Sequence, residues 1–158
     1  MNYEGQLGHK DFENKTVAKV IEFLRNKKVV KIPCSCFNSA FITADESIYL
    51  CGSNDYRQII ASGDEKVNVP TLLKTNLKVT HFYGGNYHSV IVSKEGDVYS
   101  NGMNSYGQCG MGNEKSVEEF TKIPNLKVRV EATVKVLGLR FNKQRIRRQR
   151  IDCVVVVW

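Results

Sequence analysis

The apolar residues of this chain fall in short runs, each bounded by a polar turn. Phe41-Ile42 and Ile48-Tyr-Leu50 flank Ala44-Asp-Glu-Ser47, while Val90-Ile-Val92 and Val98-Tyr99 flank Lys94-Glu-Gly-Asp97. Two β-rich runs around a tight polar turn predict a β-hairpin. A further run precedes each hairpin, Val29-Val-Lys-Ile32 or Val79-Thr-His-Phe-Tyr83, and another lies ahead of that, Val20-Ile-Glu-Phe-Leu24 or Pro70-Thr-Leu-Leu73. The pattern therefore predicts four short strands per unit of about 50 residues. Val17, Val20, Ile21 and Leu24 carry the i, i+3, i+4, i+7 spacing of a helix face. The strand reading is preferred there, because the counterpart opens on Pro70 and is too short for a helix.

The unit repeats. Asn2-Tyr-Glu-Gly-Gln-Leu-Gly8 reads like Asn104-Ser-Tyr-Gly-Gln-Cys-Gly110, with Asn54-Asp-Tyr-Arg-Gln-Ile-Ile60 as an altered copy, so that Gln6, Gln58 and Gln108 lie 52 and then 50 residues apart. Ser39 to Gly52 lies over Ser89 to Gly102 at the same offset of 50, which maps Tyr49 to Tyr99, Gly52 to Gly102 and Asn54 to Asn104. Four strands in a repeat of this length are the unit of a β-propeller blade. The motifs Asn-x-Tyr-Gly-Gln-x-Gly, Gly84-Gly-Asn-Tyr-His-Ser89 and Gly96-Asp-Val-Tyr-Ser-Asn-Gly102 resemble the repeat of the regulator of chromosome condensation family. That resemblance implies a seven-bladed propeller. Arg57 and Ile60 depart from its glycines, and Cys34-Ser-Cys-Phe-Asn-Ser39 stands where Gly-Gly-x-x-His-Ser is expected.

Carried onward by the same offset, the pattern fails: Val134-Lys135 replaces the double glycine and Gly138-Leu139 the His-Ser pair. The expected fold is all-β, a partial propeller of two to three four-stranded blades that does not close a ring. Repeats would occupy residues 1–130 (about 1–52, 53–102 and a partial 103–130), followed by a divergent basic segment with an apolar end, 131–158. Propellers need several blades to hide their strand edges. Such an arc would self-associate, complete a partner, or be a truncated, non-functional fragment of a longer ancestral chain.

Composition narrows the class. Of the 158 residues, 42% are hydrophobic and 25% charged, which excludes a disordered polymer, and 12 Gly with 3 Pro exclude a collagen-like one. Val154 to Trp158 falls far short of a membrane span, and the N-terminus lacks the basic and apolar regions of a secretory signal. An intracellular setting, cytoplasmic or nuclear, is expected. Charge is uneven: residues 1–120 hold 13 Lys/Arg against 14 Asp/Glu, and residues 121–158 hold 10 against 2. Lys143, Arg145, Arg147, Arg148 and Arg150 suit salt-sensitive contact with nucleic acid or chromatin, or a nuclear-targeting signal, though an exposed tail without a partner has the same makeup.

Candidate chemistry is sparse. Cys34, Cys36, Cys51, Cys109 and Cys153 are odd in number and irregular in spacing, so neither a zinc site nor a redox pair is expected and no metal is assigned. Gly107-Gln-Cys-Gly-Met-Gly112 lacks the Gly-Lys-Ser/Thr of a phosphate loop, and no cofactor is assigned. Neighbours His88 and Ser89 on one strand point to opposite faces, which does not suit a nucleophile and its base. They read as buried groups tying strand ends together by hydrogen bonds, and Gln6, Gln58 and Gln108 as bonding loop backbone between blades. Gly5, Gly8, Gly107 and Gly110 suit loops with positive φ, Gly84 and Gly85 a tightly packed strand edge, and Gly52 and Gly102 strand ends. No catalytic set emerges, and a non-enzymatic protein-binding module is expected. The resemblance adds a partner class, small GTPases, with nucleotide exchange on the nuclear GTPase Ran as its best-known activity, and chromatin.

Overall fold

A computed structural model describes residues 1–61 and 63–129. The basic residues Lys143 to Arg150 and the cysteine at 153 lie outside the described residues. Strands β1 (Val29–Lys31), β2 (Asn38–Thr43), β3 (Ile48–Ser53) and β4 (Lys66–Leu72) form one antiparallel four-stranded sheet in sequence order, and β5 (Val79–Gly84), β6 (His88–Ser93), β7 (Asp97–Gly102) and β8 (Val117–Lys127) form a second. The described residues are thus nearly all-β and unclosed, as the repeat pattern predicts.

Both hairpins stand where the sequence places them, with Ile42 opposite Ile48 and Val92 opposite Val98. Their inner strands are near-continuous apolar runs because they are covered on both faces: every residue of β6 is buried, and all but one of β2. One apolar core spans the seam between the sheets, joining Phe41, Ile42, Ile48 and Leu50 to Val79, Phe82 and Ile91. Each such side chain, fully buried, contributes about 1.5–3 kcal/mol. Polar groups close the seam: the Val79 amide donates to the Glu46 carbonyl (3.3 Å) and Lys31 Nζ to the Thr80 carbonyl (2.9 Å).

Three strand assignments differ from the sequence reading. Val20 to Leu24 is not a strand; it contains a single 3-10 turn, Glu22–Leu24, in which Leu24 N–H donates to the Ile21 carbonyl. The apolar stripe meets the sheet only through Ile21 and Leu24, while Val17 and Val20 stay exposed. Pro70 to Leu73, expected to open the second blade, lies largely in β4, which pairs with β3 and completes the first sheet. Pro70 is tolerated there because β4 is an edge strand. Phe120 to Leu126, within the stretch 103–130 expected to hold a partial third blade, likewise belongs to β8, the last strand of the second sheet. Each sheet therefore takes its fourth strand from beyond the Asn-x-Tyr loop.

Candidate functional site, the loop end of the two sheets

Three loops of one design sit at one end of the sheets: Asn2–Gly8 ahead of β1, the β3–β4 loop from Asn54, and the β7–β8 loop from Asn104. Each opens on a fully buried asparagine whose side-chain oxygen accepts from an amide further along the loop: Leu7 (2.9 Å), Ile60 (3.1 Å) and Cys109 (2.8 Å) respectively. Its amide nitrogen then donates to the carbonyl of Asp11, Asp64 or Asn113 where the loop returns. A turn repeats in all three, with Gly5, Arg57 and Gly107 donating to the carbonyls of Asn2, Asn54 and Asn104. The turn residue is left-handed in each, at φ 81°, 59° and 72°. Arg57 therefore holds a backbone state that glycine adopts at no steric cost. Sequence reasoning singles out Asn54 and Asn104 but not Asn2, which performs the same function.

The glutamines act locally, not between blades. Gln6, Gln58 and Gln108 accept from the amides of Glu4, Tyr56 and Tyr106, two residues back in their own loops, and Gln58 Nε2 also donates to Ser53 Oγ (2.9 Å). Contact across the seam comes instead from Asn101, whose Nδ2 donates to the Arg57 carbonyl (2.6 Å). Cys51, one repeat earlier, makes the corresponding contact with its thiol on the Gln6 carbonyl (3.4 Å).

The strand-end motif divides in the same way. The His88 ring is buried against Gly85, where a Cβ would stand 2.2 Å from His88 Cε1. Ser89 Oγ, expected to tie strand ends, is buried without a protein hydrogen-bond partner, as is Asn101 Oδ1. Gly84 lies against Ser35 of the neighbouring sheet, where a Cβ would stand 2.4 Å from the serine Cβ. Gly52 and Gly102 sit at φ 120° and 105°, with no room for a Cβ beside the Phe37 and Tyr87 carbonyls. Gly8 and Gly110, at φ 70° and 71°, close the first and third loops; Ile60 replaces that glycine in the second.

Four described cysteines are free thiols, and burial pushes Cys51 up to about 12 and Cys109 to about 11, which keeps both protonated. Among the described residues no group of three or more His, Cys, Asp or Glu side chains could hold a metal ion, and no helix is long and apolar enough to cross a membrane.

What the loop end presents is aromatic. Phe37 of the β1–β2 turn stacks on Tyr87 of the β5–β6 turn (centroids 5.8 Å apart), and Tyr87 meets Tyr56 at 5.2 Å. Tyr106 stands in the third loop, 80% exposed. These residues are absent from the sequence-derived site, although Phe37/Tyr87 and Tyr56/Tyr106 each obey the offset of 50 that would have found them.

The family model described as "Regulator of chromosome condensation (RCC1) repeat" matches residues 1–42, 45–92 and 95–138, and a second model of that description matches 79–108. Human (Homo sapiens) E3 ubiquitin-protein ligase HERC2 is 29% identical over 126 residues, 77% of this chain and 3% of the relative. The X-linked retinitis pigmentosa GTPase regulator homolog of Caenorhabditis elegans is 37% identical over 111 residues, 66% of this chain and 8% of that protein. Among solved structures, Prp20p from Saccharomyces cerevisiae superposes with a TM-score of 0.63 at 26% identity, covering 79% of this chain and 33% of that one. The chain spans a third or less of the length of each of these three proteins.

Proposed function

This chain belongs to the regulator of chromosome condensation (RCC1) repeat family, and from that premise we propose that it is a non-catalytic protein-binding module whose loop end docks a small GTPase and influences its guanine-nucleotide exchange. One observation carries the reading: the same buried-asparagine network builds three loops at one end and presents exposed tyrosines there. Rigid backbone beneath amphipathic rings is the makeup of a protein-binding surface, since tyrosine brings a large contact area at small entropic cost. Two relatives point the same way by name: the C. elegans protein is a GTPase regulator homolog, and the Prp20p structure is reported with its binding properties to Gsp1p and histones.

Two sheets offer only part of a ring's face, so binding is expected with modest acceleration of nucleotide release. Titrating the chain into a nucleotide-free and a GDP-loaded small GTPase, with release of a fluorescent GDP followed in parallel, tests this. Tighter binding to the nucleotide-free form supports the proposal. A folded chain that binds neither form overturns it.

A further inference from the structure

The aromatic row crosses the seam between the sheets. Phe37 and Tyr87 occupy the same turn one repeat apart, and Tyr56 reaches over from the loop that follows β3. The rings follow one another at 5.8 and 5.2 Å, and Tyr56 keeps 41% of its surface in water. Charge around the row has one dominant sign. Asp55 precedes Tyr56, and Asp64 and Glu65 close the same loop, all exposed; the next loop carries Glu114 and Lys115, which offset one another. Two nearby cations are engaged: Lys66 Nζ by the Glu4 carboxylate (3.2 Å) and the Tyr3 carbonyl (3.1 Å), and the Arg57 guanidinium by the Gly63 carbonyl (2.7 Å). The opposite end is mixed: Lys74, Lys78 and Lys94 stand beside the β2–β3 and β6–β7 hairpins together with Asp45, Glu46, Glu95 and Asp97, and Lys94 pairs with Glu46 (2.7 Å).

Resting on the protein-binding reading above, we infer that this row takes an extended Lys/Arg-rich segment of a partner protein, with cationic side chains stacked on the rings and their charge met by Asp55, Asp64 and Glu65. Alternate side chains of an extended segment lie roughly 6.5–7 Å apart, about 1 Å longer than each 5.2–5.8 Å step of the row, a difference that flexible Lys and Arg stems span. A cation is drawn to the face of an aromatic ring within about 6 Å of its centroid. The molecule uses that contact elsewhere: Lys27 Nζ stands 4.7 Å from the Tyr49 ring and 5.1 Å from Phe23.

The test titrates a short fluorescent peptide alternating arginine with serine into the full chain by anisotropy, with the glutamate counterpart as charge-reversed control. The arginine peptide binds and weakens with added salt. Tyr56→Leu weakens it roughly five- to tenfold, Tyr56→Phe retains it, and Glu46→Gln at the opposite end leaves it unchanged. Equal binding of the two peptides, or a loss with Glu46→Gln as large as with Tyr56→Leu, overturns the inference. A GTPase that binds while the arginine peptide does not also overturns it and leaves the broader reading standing. A peptide that binds with this pattern while no GTPase does supports it and overturns the GTPase reading alone.

Discussion

The two sheets are built on the same backbone plan and solve one local problem with different residues. In the first, the Ser35 amide donates to the Asn38 carbonyl (2.8 Å); in the second, Gly85 donates to His88 (2.9 Å). The turn is the same, but its filling is not. Asn38 is compact, donates its backbone amide to Ser35 Oγ (3.2 Å), and donates its side-chain Nδ2 to the Ser53 carbonyl (2.6 Å). His88 fills the site with a ring, and that ring occupies the volume where a side chain at 85 would go. Glycine-with-histidine and serine-with-asparagine are therefore matched pairs. What looks like decay of the motif in the first repeat is an exchange of both partners, which keeps the turn and changes how its interior is filled.

Exchanging one partner alone should break the match. Gly85→Ser places a Cβ on the buried ring and is expected to destabilise the chain by about 2–3 kcal/mol, as overpacking of a filled site does. Adding His88→Asn copies the first sheet, and in that background the serine should cost less than about 1 kcal/mol. Denaturant unfolding of the two single variants and the double variant measures the coupling. Additive losses would show that the two turns are not interchangeable solutions.

The comparison also explains what could be read from the chain. The hairpins were legible because β2 and β6 are covered on both faces, so that Phe41-Ile42 and Val90-Ile-Val92 had to be apolar runs. The offset of 50 was legible because buried asparagines and left-handed turns tolerate few residues. The fourth strands were harder to place. Among the described residues β4 and β8 are edge strands with one partner each, and their exposed, mixed patterns resemble loops. Val20 to Leu24 misled because only Ile21 and Leu24 of its apolar residues are covered: Val20 is exposed, and Phe23 meets Tyr49 at 5.7 Å yet remains 43% exposed. The glutamines' short reach follows from turn geometry, which motif spacing does not encode. The aromatic row needed three dimensions, since Tyr56 and Tyr87 touch across a seam.

A smaller effect separates loops that share a design but differ in their surroundings. Gly5 is seated on the first sheet, where a Cβ would stand 2.6 Å from Asn68 Cα, whereas Gly107 has nothing within 4 Å. Both need a left-handed backbone. Gly107→Ala should therefore cost only the conformational penalty, about 1 kcal/mol. Gly5→Ala adds a backbone clash and should cost about 2 kcal/mol, limited by how firmly that loop is seated. Thermal unfolding of the two variants checks the order. Equal losses would mean that the first loop gains nothing from its seat.

The smallest expected effect is set by pH and again divides the sheets. Burial lowers the pKa of His88, and burial together with the Lys31 charge lowers that of His81. The first sheet has Asn38 and Lys31 at those positions and no histidine to titrate there. A base whose pKa is depressed on folding binds its proton more readily in the unfolded chain, so stability is fully present above the unfolded value of about 6.5 and is lost as pH falls from there toward the lowered folded value. The Thr43 hydroxyl holds Asp45, and Lys122 holds Asp97, below the usual carboxylate range, so those groups lose their charge only at more acidic pH and stay outside this window. Amide hydrogen exchange on either side of pH 6.5 should therefore show protection falling in β5 and β6 before β1 and β2, and His88→Asn should remove most of that difference. Equal loss of protection in the two sheets would mean that they open as one cooperative unit, joined by the core that runs from Phe41 to Phe82.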